Sequence, residues 1–450
     1  METEPTLSFW QKNKLVLKSF FIAFLILALL IPTFLIMSLV TDRKDRKQEV
    51  TKEISNKWSA AQTITGPFLI IPYTENDISN GNAVTVKKNL FLMPEQLNIS
   101  GTIEPEIRYR SIYKVPVFTA KPLLLNGKFA KHSFTAVGVN PTAIKWSEAK
   151  LCIGISDLKG IKQQSIKWNG QLLNMEAGVP DNSVVSQSIS VPMPLDTSFI
   201  DSENNFSIQL TLQGSEKIYC TPLGSNTTVH FSSSWSNPAF DGKYLPDTER
   251  ITQKGFEADW SISQFNRDFP KIFNGAGTAA QSVKESAFGV ILLSPFDAYA
   301  QTMRSVKYAI LIIALTFFAL FFTEIFQRKP VHPLQYILIG MALVIFYILL
   351  LSVSEYIQFP YAYLLASAAT VLLLSWYTKS IFKKWNVVLV FAALLSALYL
   401  FIYVLIQMQD NALLFGSVGL FVLLAAAMYL SRKIDWFGFD KKAAIVQQQL

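Results

Sequence analysis

The chain is poor in the residues on which redox, metal and nucleophilic chemistry depend. Its 450 residues include two cysteines, Cys152 and Cys220, and three histidines, His132, His230 and His332. The cysteines form no C-x-x-C pair, which excludes the common redox and zinc spacings. His132 and His230 have no second His or Cys at ligand spacing, so each reads as an ordinary satisfied histidine. The phosphate-cradling G-x-x-x-x-G-K-[ST], the nucleophile elbow G-x-S-x-G and the zinc-protease H-E-x-x-H are absent as well. Gly275-Ala-Gly277-Thr-Ala-Ala280 is a degenerate dinucleotide fingerprint without the following amphipathic helix, and reads as a flexible loop. The expectation is therefore no cofactor, no metal and no catalytic residue. An enzyme whose side chains converge from distant strands stays open as an alternative.

Charge is scarce too. Only 16% of the residues are charged, against about 25% in soluble domains. The deficit is concentrated in long runs, and these organise the chain. One is SFFIAFLILALLIPTFLIMSLV at 19–40, and five more follow between Arg304 and Leu430. Each is long enough to cross a hydrocarbon core of roughly 30 Å at 1.5 Å per residue. A soluble helix apolar on every face needs a large protein core, and the short links leave no material for one. Transmembrane helices are expected at 19–40, 306–326, 334–353, 361–379, 386–406 and 413–430. The first lacks a small-x-small cleavage site and reads as an uncleaved signal anchor, kinked at Pro32. The flanks, 1–18 and 431–450, read as cytoplasmic tails. The formal net charge of +8 is scattered or sits at helix ends, which is a membrane pattern and argues against nucleic acid.

Between the spans, 41–305 changes texture completely. The charged stretch after the anchor predicts a short helix. Beyond Gly66-Pro67, alternation at 207–213, at Leu151, Ile153 and Ile155, and at Tyr109, Ser111, Tyr113 and Val115 predicts strands. Asn80-Gly81, Asn126-Gly127 and Asn169-Gly170 predict two-residue hairpin turns. The fold class is thus an integral membrane α+β protein. It has six transmembrane helices, one N-terminal anchor plus a C-terminal five-helix bundle, with a large, mainly antiparallel β domain inserted between helices 1 and 2. Whether that domain is one unit or two stays open. The Asn-, Ser- and Thr-rich segment 203–247 is expected to hold long loops. Arg108, Arg110 and Lys114 share a face of a predicted strand, read as solvated or as attracting an anionic polymer. A Cys152–Cys220 disulfide and two unpaired buried thiols are both open.

The short connections carrying Lys and Arg alternate with those that carry none. Arg328 and Lys329 follow the second span, Lys379, Lys383 and Lys384 the fourth, and Arg432, Lys433, Lys441 and Lys442 the sixth. By the positive-inside rule both termini are cytoplasmic and the β domain is periplasmic. Arg43, Lys44, Arg46 and Lys47 lie on the other side and oppose this reading. Ionisable groups at membrane boundaries are costly and usually paired. Arg304 and Lys307 are expected to meet Glu355, and Glu324 to pair with Arg328 four positions on. His332 belongs to the same boundary set. The expected partners are the lipid bilayer and an unidentified periplasmic or envelope component; the oligomeric state is open. A transporter or channel is an alternative that the lack of central charges in the later spans disfavours.

RSVKYAILIIALTFFALFFTE at 304–324, HPLQYILIGMALVIFYILLLSVSE at 332–355 and AQTITGPFLIIPY at 61–73 resemble the CreD family of inner-membrane proteins, also called cell envelope integrity proteins. RSIYKVPVFTA at 110–120, GISDLKGI at 154–161 and Asp268-Phe269-Pro270 extend the likeness. The family pattern has a His after the Glu that ends the third span, where Tyr356 stands here, so no role for that His is carried over. The resemblance implies a Gram-negative inner-membrane protein with a periplasmic domain. It also implies a link to envelope stress, including responses to β-lactams and colicins, and brings no established reaction.

Overall fold

The computed structural model describes residues 14–79, 82–130, 139–178, 181–275, 277–292, 298–408 and 412–432. Lys12, Asn80-Gly81, His132, the Gln409-Asp410 connection and the tail beyond Arg432 lie outside them. The chain divides into two compact units, one of residues up to Arg46 and from Phe296 onward, the other Lys47–Pro295. Helix α1 (Lys14–Trp58) is continuous for 45 residues. Its apolar part ends near Val40, and the Asp, Arg, Lys, Glu and Gln that follow are good enough helix formers to prolong it rather than start a separate helix.

The second unit follows as β1 (Gln62–Ser79), β2 (Asn82–Leu92), β3 (Gln96–Arg110), β4 (Tyr113–Phe129), β5 (Lys150–Ile155), β6 (Ile161–Trp168), β7 (Gln171–Leu173), β8 (Glu176–Ala177) and β9 (Ser188–Pro192). It continues through β10 (Asn204–Ser215), β11 (Lys217–Cys220), β12 (Asn226–Ser233), β13 (Pro238–Gly242), β14 (Thr248–Thr252), β15 (Gly255–Ser263), β16 (Ile272–Asn274), helix α2 (Thr278–Glu285) and β17 (Phe288–Leu292). One sheet runs β13-β17-β11-β1-β5-β9-β8, with β2 and β16 attached beside β1, and the other runs β14-β15-β12-β3-β4-β10-β6-β7. Pairing is antiparallel except at β1–β11 and β12–β3. A single hydrophobic core joins residues of both sheets, Phe68 and Phe91 from one and Leu97, Phe118 and Phe231 from the other. The strand-rich region is therefore one unit, the question that periodicity left open.

Local outcomes follow from packing. Along β10 buried and exposed residues alternate, whereas β5 is buried on both faces. Asn169-Gly170, both at positive φ, join β6 to β7. Asn126-Gly127 is not a turn, because it lies within β4 between β3 and β10. Gly is required there for another reason: a Cβ at Gly127 would stand 2.0 Å from the Gln96 carbonyl oxygen. The alternation from Tyr109 to Val115 spans two strands, since Ser111 and Ile112 are the turn between Arg110 and Tyr113. The segment 203–247 holds β10, β11, β12 and β13 instead of long loops, with Ser207 and Thr228 at exposed strand positions and Ser215, Thr227 and Ser233 at buried ones. The glycine segment at 275–277 leads into α2, so the helix judged missing is present. Its flanking strands pair antiparallel with other strands, which is not a βαβ setting.

Cys152 and Cys220 are free and buried. They lie on β5 and β11, which flank β1 on opposite sides, facing Phe68 and Ile64 respectively. Two strand spacings of roughly 9.5 Å in all, plus the offset along β1 from Ile64 to Phe68, separate them beyond the reach of a disulfide.

The first unit resumes with α3 (Ala298–Lys307), α4 (Ala309–Gln327), α5 (Pro333–Ser354), α6 (Phe359–Phe382), α7 (Trp385–Gln407) and α8 (Ala412–Ser431). Among the described residues, α1, α4, α5, α6 and α7 are long and apolar enough to cross a membrane, and α8 contributes a shorter apolar stretch, Leu414–Ala425. α3 is a separate helix, because the chain turns at Tyr308 before α4 begins.

Where α1 ends, a buried amide organises the second unit. The Gln62 side chain is fully buried, donates to the Ser59 hydroxyl at 2.8 Å and to the carbonyls of Asp157 and Gln213 at 3.0 and 2.9 Å, and accepts from the Asp157 N–H. Asp157 accepts in turn from the Ala60 N–H at 2.9 Å, the Ser59 hydroxyl and the Lys159 N–H. The Gln62 amide thereby bridges β1 of one sheet to β10 of the other. Gly160 is needed beside it, since a Cβ there would meet the Gln213 carbonyl oxygen at 2.2 Å. Burial would raise the Asp157 pKa, but the donated hydrogen bonds outweigh it and hold the carboxyl below the ordinary range.

A depressed carboxyl contributes stability that is present above the unfolded-state pKa and is lost as pH falls through the folded value. Asp157→Asn is expected to cost about 1 kcal/mol in a melting experiment near neutrality, and the gap should close below about pH 4. Burial pushes the Cys152 thiol up to about 12 and raises that of Cys220. Alkylation at pH 8 should therefore leave both thiols untouched in the folded protein and modify both in denaturant, with no mobility change on reduction.

Candidate functional site

Charge is the feature that a helix bundle in lipid cannot hold casually, and two clusters carry it. The first lies at the end of the helices where the basic connections are. Glu324, one turn before the end of α4, is 9% exposed. It accepts from the Lys18 ammonium on α1 through Oε1 and from the Tyr336 hydroxyl on α5 through Oε2, the latter at 2.9 Å. Lys18 also donates to the Val331 carbonyl at 2.7 Å and stands 5.4 Å from the centre of the Tyr336 ring. Phe317 packs edge-on against that ring at 5.7 Å. Three helices thus contribute one carboxylate, one ammonium and one hydroxyl, each satisfied. Arg328 is not the partner of Glu324: α4 stops at Gln327 and Arg328 takes a left-handed conformation with φ 48°, which carries it off the helical face that an i,i+4 pair needs.

The second cluster lies at the opposite end. Glu355, capping α5, faces Arg43 of α1 at 3.8 Å and accepts from the Tyr299 hydroxyl of α3 at 3.3 Å. Among the described residues no ion pair joins Arg304 or Lys307 to Glu355, and the Arg304 Nε is buried without a hydrogen-bond partner. The shared cluster expected at this end exists, with α1 supplying its cation. Lys18 and Arg43 are about 37 Å apart along a straight helix, close to a hydrocarbon core plus part of its interfaces. Glu324 and Glu355 are therefore each neutralised by α1, one at either end.

The other basic residues at the first end close helix termini. Lys329 donates to the Ile381 carbonyl at the end of α6, and Lys384 to the Gln327 side chain at 3.1 Å. Such cations meet the negative end of a helix dipole. His332 caps α5: its Nδ1 accepts from the Leu334 N–H at 3.2 Å, while its own N–H donates to Gln335 at 2.9 Å. Among the described residues no hydrogen bond or ion pair joins it to the Glu324 cluster.

In the second unit, Arg110 pairs with Glu53 of α1, and Arg108 stacks on Trp58 at 4.4 Å and bonds Glu106 at 3.0 Å. These arginines serve the unit's own helix segment, and the single face proposed for them is divided by the β3–β4 turn. His230 contacts Asp259 at 2.7 Å in an exposed row of side chains that also contains Ser100. No three His, Cys, Asp or Glu side chains among the described residues are arranged to hold a metal ion. The helices also enclose an apolar crevice of about 550 Å³ against Phe318, Phe322 and Phe401, and a groove of about 620 Å³ edged by Tyr361, Tyr363 and Tyr403. Lys18 and Arg43 escaped sequence reasoning as partners because their carboxylates lie far along the chain, and Tyr336 and Tyr299 because theirs, 12 and 56 residues away, sit on other helices. The one available signal was depth, since Lys18 flanks its span where Glu324 ends its own.

A profile of one family, described as Inner membrane protein CreD, matches residues 14–437. Inner membrane protein CreD of Escherichia coli (strain K12) is 31% identical over 421 residues, covering 92% of each chain. Among solved structures, a substrate-bound M1 zinc metallopeptidase mutant from Deinococcus radiodurans aligns over 44% of this chain and 42% of its own, at 14% identity and a TM-score of 0.19, a likeness too slight to bear on fold or activity.

Leaving one member of a buried ion pair alone is costly, whereas replacing both by apolar groups is often neutral. Glu324→Leu should destabilise the detergent-solubilised protein by about 3–5 kcal/mol, and adding Lys18→Met should recover most of that in thermal melts. In the Arg43–Glu355 pair the cation is half exposed and 3.8 Å from a nearly buried carboxylate, so reversing both charges should change stability by less than about 1 kcal/mol.

Proposed function

Since the chain belongs to the CreD family of inner-membrane proteins, we propose that it supports cell-envelope integrity without catalysing a reaction, its β unit engaging an envelope partner under stress from wall-active antibiotics or colicins. It is a multi-pass protein of the inner membrane. In the proposed topology both termini are cytoplasmic and the β unit is periplasmic. The observation that carries this is the distribution of charge: the Lys and Arg of the short connections gather at one end of the bundle. The cluster at Arg43 counted against it. The short connections outweigh it, since long translocated domains are weakly constrained by charge.

Two results test this. Alkaline phosphatase fused at Gly178 should be active and a fusion after Lys384 inactive, and the reverse pattern would invert the topology. Deletion of the gene should raise sensitivity to β-lactams or detergent. Full-length protein should restore resistance, and restoration by the β unit released without α1 would contradict a membrane-anchored role.

A further inference from the structure

We infer that the β unit binds a small, singly anionic, hydroxyl-rich ligand, a sugar acid of monosaccharide size, in a pocket at the end of the adjacent strands β11, β1 and β5. The cavity measures about 310 Å³, the lower end of the roughly 300–1,000 Å³ usual for small-molecule sites, which suits one sugar ring and not a chain. Its floor is a pair of threonines, Thr65 on β1 and Thr221 just after β11, whose hydroxyls are 3.0 Å apart and almost wholly buried. One wall is the segment before β9, which crosses β5 so closely that a Cβ at Gly154 would stand 2.3 Å from Val185. The β1–β5 register slips between Thr65 and Phe68, and a slip of this kind re-aims the neighbouring side chains.

The lining chemistry selects the ligand class. Ser156, Ser186 and Gln187 add hydroxyl and amide groups, and Lys284 on α2 supplies the single cation. Ser186 and Lys284 have no hydrogen-bond or ion-pair partner among the described residues, so the fold does not use them. The Gln187 side-chain oxygen accepts from the Leu158 N–H at 3.4 Å, and this leaves its amide nitrogen to donate. Among the described residues no carboxylate lines the pocket to repel an anion, and no aromatic face is present for stacking. Recognition therefore rests on several neutral hydrogen bonds and one charge-assisted bond, which matches a polyol bearing one carboxylate. Among the described residues no carboxylate or histidine stands beside the threonines to act as a general base, and the role proposed for the pocket is binding. Two stretches singled out in the sequence, 61–73 and 154–161, both contribute to this pocket.

The test uses the full chain in detergent and calorimetric titration with glucuronate, glucose and acetate. Glucuronate should bind, with glucose and acetate each weaker by about tenfold or more. Lys284→Met, an exposed substitution, should bring glucuronate down to the level of glucose with the melting temperature unchanged. Thr65→Val should weaken glucuronate and glucose alike, read only on protein whose melt is intact. Absence of glucuronate binding, acetate binding as well as glucuronate, or indifference to Lys284→Met would each overturn the proposal.

Discussion

A charge in hydrocarbon must find its opposite, and the helix bundle is built around that requirement. Glu324 has the ammonium of Lys18 and the hydroxyl of Tyr336, which meet both carboxylate oxygens. At the other end Glu355 has Arg43 and Tyr299. Because α1 supplies the cation in both cases, its position along the bundle is defined at two heights. Apolar contacts alone would define it less well, since hydrocarbon is as good a neighbour for leucine as another helix is. The two pairs differ in weight: in the first both partners are largely buried, so its loss is felt in full, whereas in the second the cation is half in water and screened.

The β unit meets a different constraint. Its two sheets share one core, and their margins must satisfy backbone groups that the ladders leave over. Gln62 does this with every hydrogen-bonding group of its side chain, linking β1 to β10 through the Asp157 turn. Gly160 and Gly127 are small for the same reason: neighbouring carbonyl oxygens occupy the space a side chain would need. A turn dipeptide such as Asn126-Gly127 can therefore sit inside a strand, where the need for closeness outranks the preference for a bend.

Reading by period succeeded where a pattern is local. The runs from Ser19 and from Arg304 onward, the alternation along 207–213 and the Asn169-Gly170 turn all depend on residues within a few positions of one another. It failed where partners are remote. Glu324 was matched to Arg328 because four residues on a helix is a short distance, yet the helix ends before Arg328 can use it. The Asn-, Ser- and Thr-rich stretch 203–247 was expected to hold long loops around its strand at 207–213, because polar composition was weighed above the alternating Thr227, Val229 and Phe231, which face the core. The pocket at Thr65, Thr221 and Lys284 left no trace, since its residues come from five separated segments.

What the amino-acid order determined alone is the partition between lipid and water, together with the strand character of the middle region. Both follow from transfer free energies and side-chain alternation summed over contiguous residues, and neither depends on which element touches which. The tertiary structure alone decided the pairing of charges, the separation of Cys152 from Cys220 by an intervening strand, and the assembly of the hydroxyl-lined pocket. Those depend on strand order and helix adjacency, and many different arrangements of the same local elements would satisfy the sequence pattern equally well.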